Sequence, residues 1–211
     1  MLNPENPAIT EEQRTLIARL LLERFSLRGI CRAVGVSLTW LLHFMVERFA
    51  ASPDHLHVQL PTSPTDVIIQ RLDAEADEIW SVVQKKVNKQ WLWLAMDAAT
   101  RQVMAFHVGD RSRQSGEQLW AKIPAVYQRQ ATFHTDLYEV YKGMIPPAQH
   151  QAITKQAHQT NHLERFNNTL RQRVSRLVRD TSAFFKKLAN HIGAIKYFIG
   201  HYNLVKAAAA A

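Results

Sequence analysis

Three short apolar runs, Asp77–Val83, Trp91–Met96 and Val103–Val108, are separated only by the polar stretches 85–90 and 97–102. Each run has strand length and is rich in Val, Ile, Trp and Phe, and the connections are too short for the crossover that a parallel pair requires. The three are expected to form an antiparallel meander. A helix over about 115–122 follows, ended or bent at Pro124. Ala131–Asp136 then reads as a fourth strand and Gln149–Thr154 as a short fifth. Because a helix separates the third and fourth runs, the fourth suits parallel addition to the same sheet. The rest of the chain reads as two helices.

The chain begins with a different period. Thr10–Phe49 is helical in pattern, opening with Thr10 and Gln13 at capping-box spacing and a first helix to about Phe25. Gly35 then lies between two periodic segments, the second carrying Leu38, Leu41, Leu42, Met45 and Phe49. This is helix-turn-helix spacing. Gly35 supplies the turn, the small Cys31 lets the helices approach, and Ile30, Val34, Val36, Leu41 and Phe44 suit a shared core. The second helix would read DNA, with Ser37, Thr39 and His43 on its exposed face. An ordinary three-helix packing unit would show the same pattern. A linker with Pro53, Pro61 and Pro64 is expected over 51–70, and an alanine tail closes the chain at 207–211.

The formal charge is +8, and from Leu163 onward nine Lys or Arg face only Glu164 and Asp180. Such a balance favours a polyanionic partner. No apolar run approaches the length of a membrane span, and the start lacks the pattern of a signal peptide, so a cytoplasmic, nucleoid-associated protein with no membrane is expected. The single Cys31 excludes an internal disulfide and any multi-cysteine zinc cluster.

A helix over about 161–179 carries Phe166, Leu170, Val174 and Leu177 as an apolar stripe, with Glu164, Asn168, Arg171 and Ser175 on the opposite edge. Glu164 and Arg171 are two turns apart on one face, roughly 10 Å along the axis. Asp77 opens the first strand and Asp136 closes the fourth, so the two approach each other if those strands are neighbours. Carboxylates converging from three elements are what a pair of divalent metals requires, because Mg2+ prefers hard oxygen ligands. Glu78 and Asp97 compete. Alternation puts Glu78 on the face opposite Asp77, and Asp97 suits the turn after the second strand.

Three blocks, Ala76-Asp77-Glu78-Ile79-Trp80, Phe133-His134-Thr135-Asp136-Leu137-Tyr138 and Asn161-His162-Leu163-Glu164-Arg165-Phe166-Asn167-Asn168-Thr169-Leu170-Arg171-Gln172, resemble the catalytic blocks of bacterial transposases of the insertion sequence one family. The resemblance runs from the helix-turn-helix through His201-Tyr202-Asn203. It implies an α/β fold: an RNase H-like mixed sheet flanked by helices over 71–206, with a small all-α helix-turn-helix module over 1–50. It also implies a three-carboxylate (DDE) site of Asp77, Asp136 and Glu164 holding two Mg2+ (or Mn2+) ions. Arg171 matches a basic position common in related recombinases, and Arg171, Arg173, Arg176 and Arg179 would position phosphates. The implied activity is cleavage of double-stranded DNA at element ends and strand transfer into target DNA, by a homo-oligomer. The zinc ribbon that family members carry ahead of the helix-turn-helix is expected to be missing here. The rival reading is a non-catalytic helix-turn-helix regulator or a decayed transposase copy.

Overall fold

The acid–alanine alternation Asp73-Ala74-Glu75-Ala76-Asp77 is extended, although neither residue type is a strong strand former. In the computed structural model, which describes residues 9–60, 73–83, 88–152, 161–174 and 187–210, strand β1 spans Asp73–Val82. Asp77 therefore lies within the strand rather than opening it, a correction to the expected boundary. Tertiary pairing on both sides of β1 decides its extent where propensity does not.

Strands β2 (Lys89–Asp97) and β3 (Val103–Gly109) continue from β1 as the expected antiparallel meander. Strand β4 (Thr132–Thr135) pairs in parallel with the other side of β1, and β5 (His150–Ala152) pairs in parallel with β4. The order is β3-β2-β1-β4-β5. With helices on both faces, this is the expected α/β arrangement of a mixed sheet flanked by helices.

Alternation assigns the faces. One carries Ala74, Ala76, Trp93, Ala95 and Phe133, and is covered by α4 (Arg113–Trp120), α5 (Ala125–Gln130) and α6 (Glu139–Met144) through Leu119, Tyr127 and Tyr141. Helices α5 and α6 are six residues each, too short to show a helical period in the sequence. The other face carries Ile79, Leu92, Leu94 and Phe106 beneath α7 (Asn161–Arg173) and α8 (Leu188–Ala210). Leu163, Phe166 and Leu170 of α7 are fully buried there, with Val174 just beyond its end. The expected continuation of α7 to Arg179 lies outside the described residues. Helix α8 runs through the described alanines, in keeping with alanine's high helix propensity.

The chain start folds as α1 (Glu11–Leu20), α2 (Leu27–Val34) and α3 (Leu38–Ala50). Thr10 and Gln13 form the capping box reciprocally. Helix α1 stops short of Phe25 because Ser26 starts a new helix, its hydroxyl accepting from the Gly29 amide. Gly35 turns the chain at φ 76°, and α2 and α3 meet at 111°. Ile30, Val36, Leu41 and Phe44 are buried together with Ile17, Met45 and Phe49, while Val34 packs at their edge.

Helix α8 joins this unit to the sheet. Ile195, Phe198 and Ile199 face the sheet, whereas Ala194 and Tyr197 pack with the N-terminal core. A Cβ on Gly193 would come within 2.6 Å of the Phe49 Cβ, so the α3–α8 approach needs a glycine. Ile192 and Tyr202 of α8 pack against the sheet-side core as well, while Leu188, Leu204 and Val205 are exposed. Part of the segment read as linker is packed too, since Leu56 is 3% exposed within the sheet-side core.

Candidate active site

In the parallel β1–β4 ladder, Glu75 stands opposite His134 and Ala76 opposite Thr135. One further step along both strands brings Asp77 level with Asp136, the residue directly after β4. Paired strands lie about 4.8 Å apart, so the two backbones are close. Asp136 is half-buried and its Oδ1 accepts from the Tyr138 amide at 3.0 Å. That turn fixes the carboxyl where the chain leaves the sheet for α6. The Tyr138 ring is in turn covered by the Arg111 guanidinium, 4.2 Å from its centroid.

Glu164 lies in the first turn of α7 and is exposed. What holds that turn is Glu75, which is 1% exposed. Its Oε2 accepts from the Leu163 amide at 2.9 Å, and its Oε1 accepts from the His162 Nδ1 at 2.8 Å. Glu75, two residues before Asp77 in β1, lies on the face that α7 covers. The elements carrying Asp77, Asp136 and Glu164 thus adjoin on one side of the sheet. The Asp77 side chain lies outside what the structure describes, and among the described residues no group of three His, Cys, Asp or Glu is gathered for a metal ion.

Asp97 belongs to the turn, as expected. Its Oδ1 accepts from the amides of Ala99 and Thr100, and its Oδ2 accepts from the Tyr127 hydroxyl. Burial and the adjacent Asp97 carboxylate push the Tyr127 phenol well above its ordinary range, so it remains a donor.

Arg171, two turns after Glu164, is half-buried. Arg173 is engaged elsewhere: its guanidinium pairs with Glu23 and sits 5.4 Å from the Phe198 ring centroid, tying α7 to the segment after α1. Arg176 and Arg179 lie outside the described residues. Ser37 caps α3, its hydroxyl accepting from the Trp40 amide. Thr39 and His43 are exposed on α3, on a surface that also presents Leu38, Leu42 and Val46. Trp40 is half-buried, stacks on Phe44 and packs against the N-terminal core.

The model of the IS1 transposase family, described as "IS1 transposase", matches residues 68–205, which include all three acids. The chain belongs to the IS1 transposase family. This transposase is 33% identical over 128 residues to the insertion element iso-IS1n protein InsB of Shigella dysenteriae, covering 61% of this chain and 94% of that protein. It is 32% identical over 133 residues to the insertion element IS1 protein InsB of Shigella flexneri, covering 63% of this chain and 95% of that protein. A solved structure, the Mos1 transposase paired-end complex with left transposon end, aligns with 97% of the transposase and 78% of that chain at 12% identity and a TM-score of 0.34. No residue role follows from so distant a likeness. The function is that of a DNA transposase. Among its described residues no single helix is long and apolar enough to cross a membrane.

The sequence reading missed Glu75. Its signal was the acid–alanine alternation ahead of Asp77, which puts Glu75 and Asp77 on one face once the run is recognised as a strand. A cavity of about 270 Å³, lined by Arg48, His57, Tyr197 and His201 among others, contains none of the acids.

Proposed function

We propose that Asp77, Asp136 and Glu164 are the acids of a DDE site, and that this transposase cleaves double-stranded DNA at element ends and joins the freed 3′ ends to target DNA. The observation that carries this reading is the β1–β4 register. Continued by one step, it brings the backbone of Asp77 level with that of Asp136, while Glu75, two residues earlier in β1, holds the first turn of the helix that bears Glu164. The donor set fits Mg2+ or Mn2+, being three carboxylates on three elements with hard oxygen ligands. Two such ions, when bound, lower the pKa of the attacking hydroxyl and offset charge on the leaving oxygen.

The chain's own groups do the rest. The Asp136 carboxyl is fixed through Oδ1 by the Tyr138 amide, which limits its rotation. Glu164 is presented at the exposed start of α7, where a duplex can reach it. Arg171, Arg176 and Arg179 follow on the basic segment and would hold phosphates, a largely sequence-independent role. Arg173 contributes through its tie to Glu23, which keeps α7 against the N-terminal unit. The pair α2–α3 crosses within the range of helix-turn-helix units, and Thr39 and His43 are its exposed polar groups for a major groove. Ser37 serves that helix by capping it. Coordinated joining of two ends calls for two active sites, hence a homo-oligomer.

The test is a cleavage and joining assay with element-end DNA in Mg2+ or Mn2+. The wild type gives both products. Asp136→Asn and Glu164→Gln each lose more than about 100-fold in cleavage, beyond the 10–100-fold usual for groups that only support a metal ligand, while still binding end DNA. Wild-type cleavage by either variant removes that residue from the site. End binding without any product from the wild type would favour the regulator.

A further inference from the structure

We propose that Glu75, which lies outside the three acids, is a positioning residue that clasps the first turn of α7 and so sets where Glu164 stands relative to Asp77. The proposal rests on the DDE reading above.

A carboxylate that is 1% exposed is costly to bury unless its oxygens are satisfied. Both Glu75 oxygens are. Oε2 takes the Leu163 N–H at 2.9 Å, one of the amides at a helix start that have no partner within the helix. Oε1 lies 2.8 Å from the His162 Nδ1, which donates to it in one of the two ring tautomers. The positive end of the helix dipole adds to the attraction. The contact spans 88 residues of sequence and joins the strand of the first acid to the helix of the third.

Packing alone would leave this geometry loose. Leu163, Phe166, Leu170 and Val174 hold α7 on the sheet, but apolar burial is non-directional and tolerates sliding and rotation. The two Glu75 hydrogen bonds are directional. They fix the backbone at Leu163, and Glu164 is the next residue. Both Glu75 oxygens are directed at α7. On β4 its neighbour is His134, one pair before the level of Asp77 and Asp136. The clasp therefore joins β1 two residues before Asp77 to α7 at the residue before Glu164.

The experiment uses the full chain and the variants Glu75→Ala, Glu75→Gln, His162→Ala and Glu164→Gln. Mn2+ affinity is measured by electron paramagnetic resonance of free Mn2+, alongside cleavage rate, end-DNA binding and thermal melting. Glu75→Ala should weaken both Mn2+ affinity and cleavage by about 10–100-fold, as for groups that orient metal ligands, with end-DNA binding unchanged. Glu75→Gln should recover most of the loss. Its oxygen still accepts from Leu163, and its amide can donate to the bare Nδ1 of the other His162 tautomer. His162 is 31% exposed, so His162→Ala should melt near the wild type yet show a smaller loss of the same kind.

Wild-type Mn2+ affinity and cleavage in Glu75→Ala would overturn the proposal. So would equal losses in Glu75→Ala and Glu75→Gln. If Glu75→Ala does not fold, His162→Ala decides: weakened Mn2+ binding at wild-type melting supports the clasp, and wild-type binding refutes it. Failure of the DDE reading looks different, because Glu164→Gln would then keep both Mn2+ affinity and cleavage.

Discussion

Replacing Asn203 by Ala should strongly destabilise the transposase. Asn203 is fully buried. Its Nδ2 donates to the carbonyls of Leu56 and Val103 at 2.8 and 2.9 Å, and its Oδ1 accepts from the Val103 amide at 2.8 Å. Val103 lies on β3, the edge strand, so the side-chain amide stands in for a missing neighbouring strand and also ties down the segment after α3. Truncation leaves one buried N–H and two buried carbonyls without that partner. At about 2 kcal/mol for the amide and about 1 for each carbonyl, which has a second lone pair, the loss is about 4 kcal/mol. That is a large share of the roughly 5–15 kcal/mol that holds a domain together. In urea, with a slope near 2 kcal/mol/M, the midpoint read by tryptophan fluorescence should fall by about 2 M without a change in slope. The melting temperature should fall by about 8–16 °C. Asn203→Asp should be at least as damaging, because it points a carboxylate oxygen at two carbonyls. A midpoint shift below about 0.5 M for Asn203→Ala, or a neutral Asn203→Asp, would refute the reasoning.

Two further outcomes follow from the packing. His191 is fully buried, shares a 3.0 Å hydrogen bond with Ser81, and burial pushes its pKa from 6.5 down to about 4; between those values the unfolded chain binds the proton and the folded chain does not, so stability falls as pH falls through that window, by up to about 3 kcal/mol, and His191→Leu should lose this part of the slope in urea titrations at pH 4–7. Gly35 has φ 76° with nothing within 4 Å of a built Cβ, so Gly35→Ala should cost about 1–2 kcal/mol through backbone strain alone, and a neutral result in thermal melting would remove the left-handed turn from the account.

Much of the fold was legible because its strongest elements are local. The meander follows from three apolar runs with short connections, and the capping box at Thr10 and the turn at Gly35 are set by residues within a few positions of each other. The start of β1 was not legible. Ala74 and Ala76 carry little strand propensity, and what makes the run extended is pairing with Met96, Ala95, Phe133 and Thr135, far away in sequence. The same holds for Glu75, whose partners at 162 and 163 appear only when the sheet and α7 come together. Arg173 shows the converse. On the helix pattern alone it resembles Arg171 as a phosphate contact, yet Glu23 from the N-terminal segment engages it. The acids themselves were singled out by their motif blocks, since neither a strand-end aspartate nor a first-turn glutamate is distinctive alone.

The most direct measurement is anomalous diffraction from Mn2+ in crystals of the transposase with element-end DNA. The account predicts Mn2+ at one site with carboxylate oxygens of Asp77, Asp136 and Glu164 about 2.0–2.4 Å from the ions. Ions held by Glu78 or Asp97 instead, or a Glu164 carboxylate farther than about 8 Å from both aspartates, beyond the span of a two-ion cluster, would contradict it.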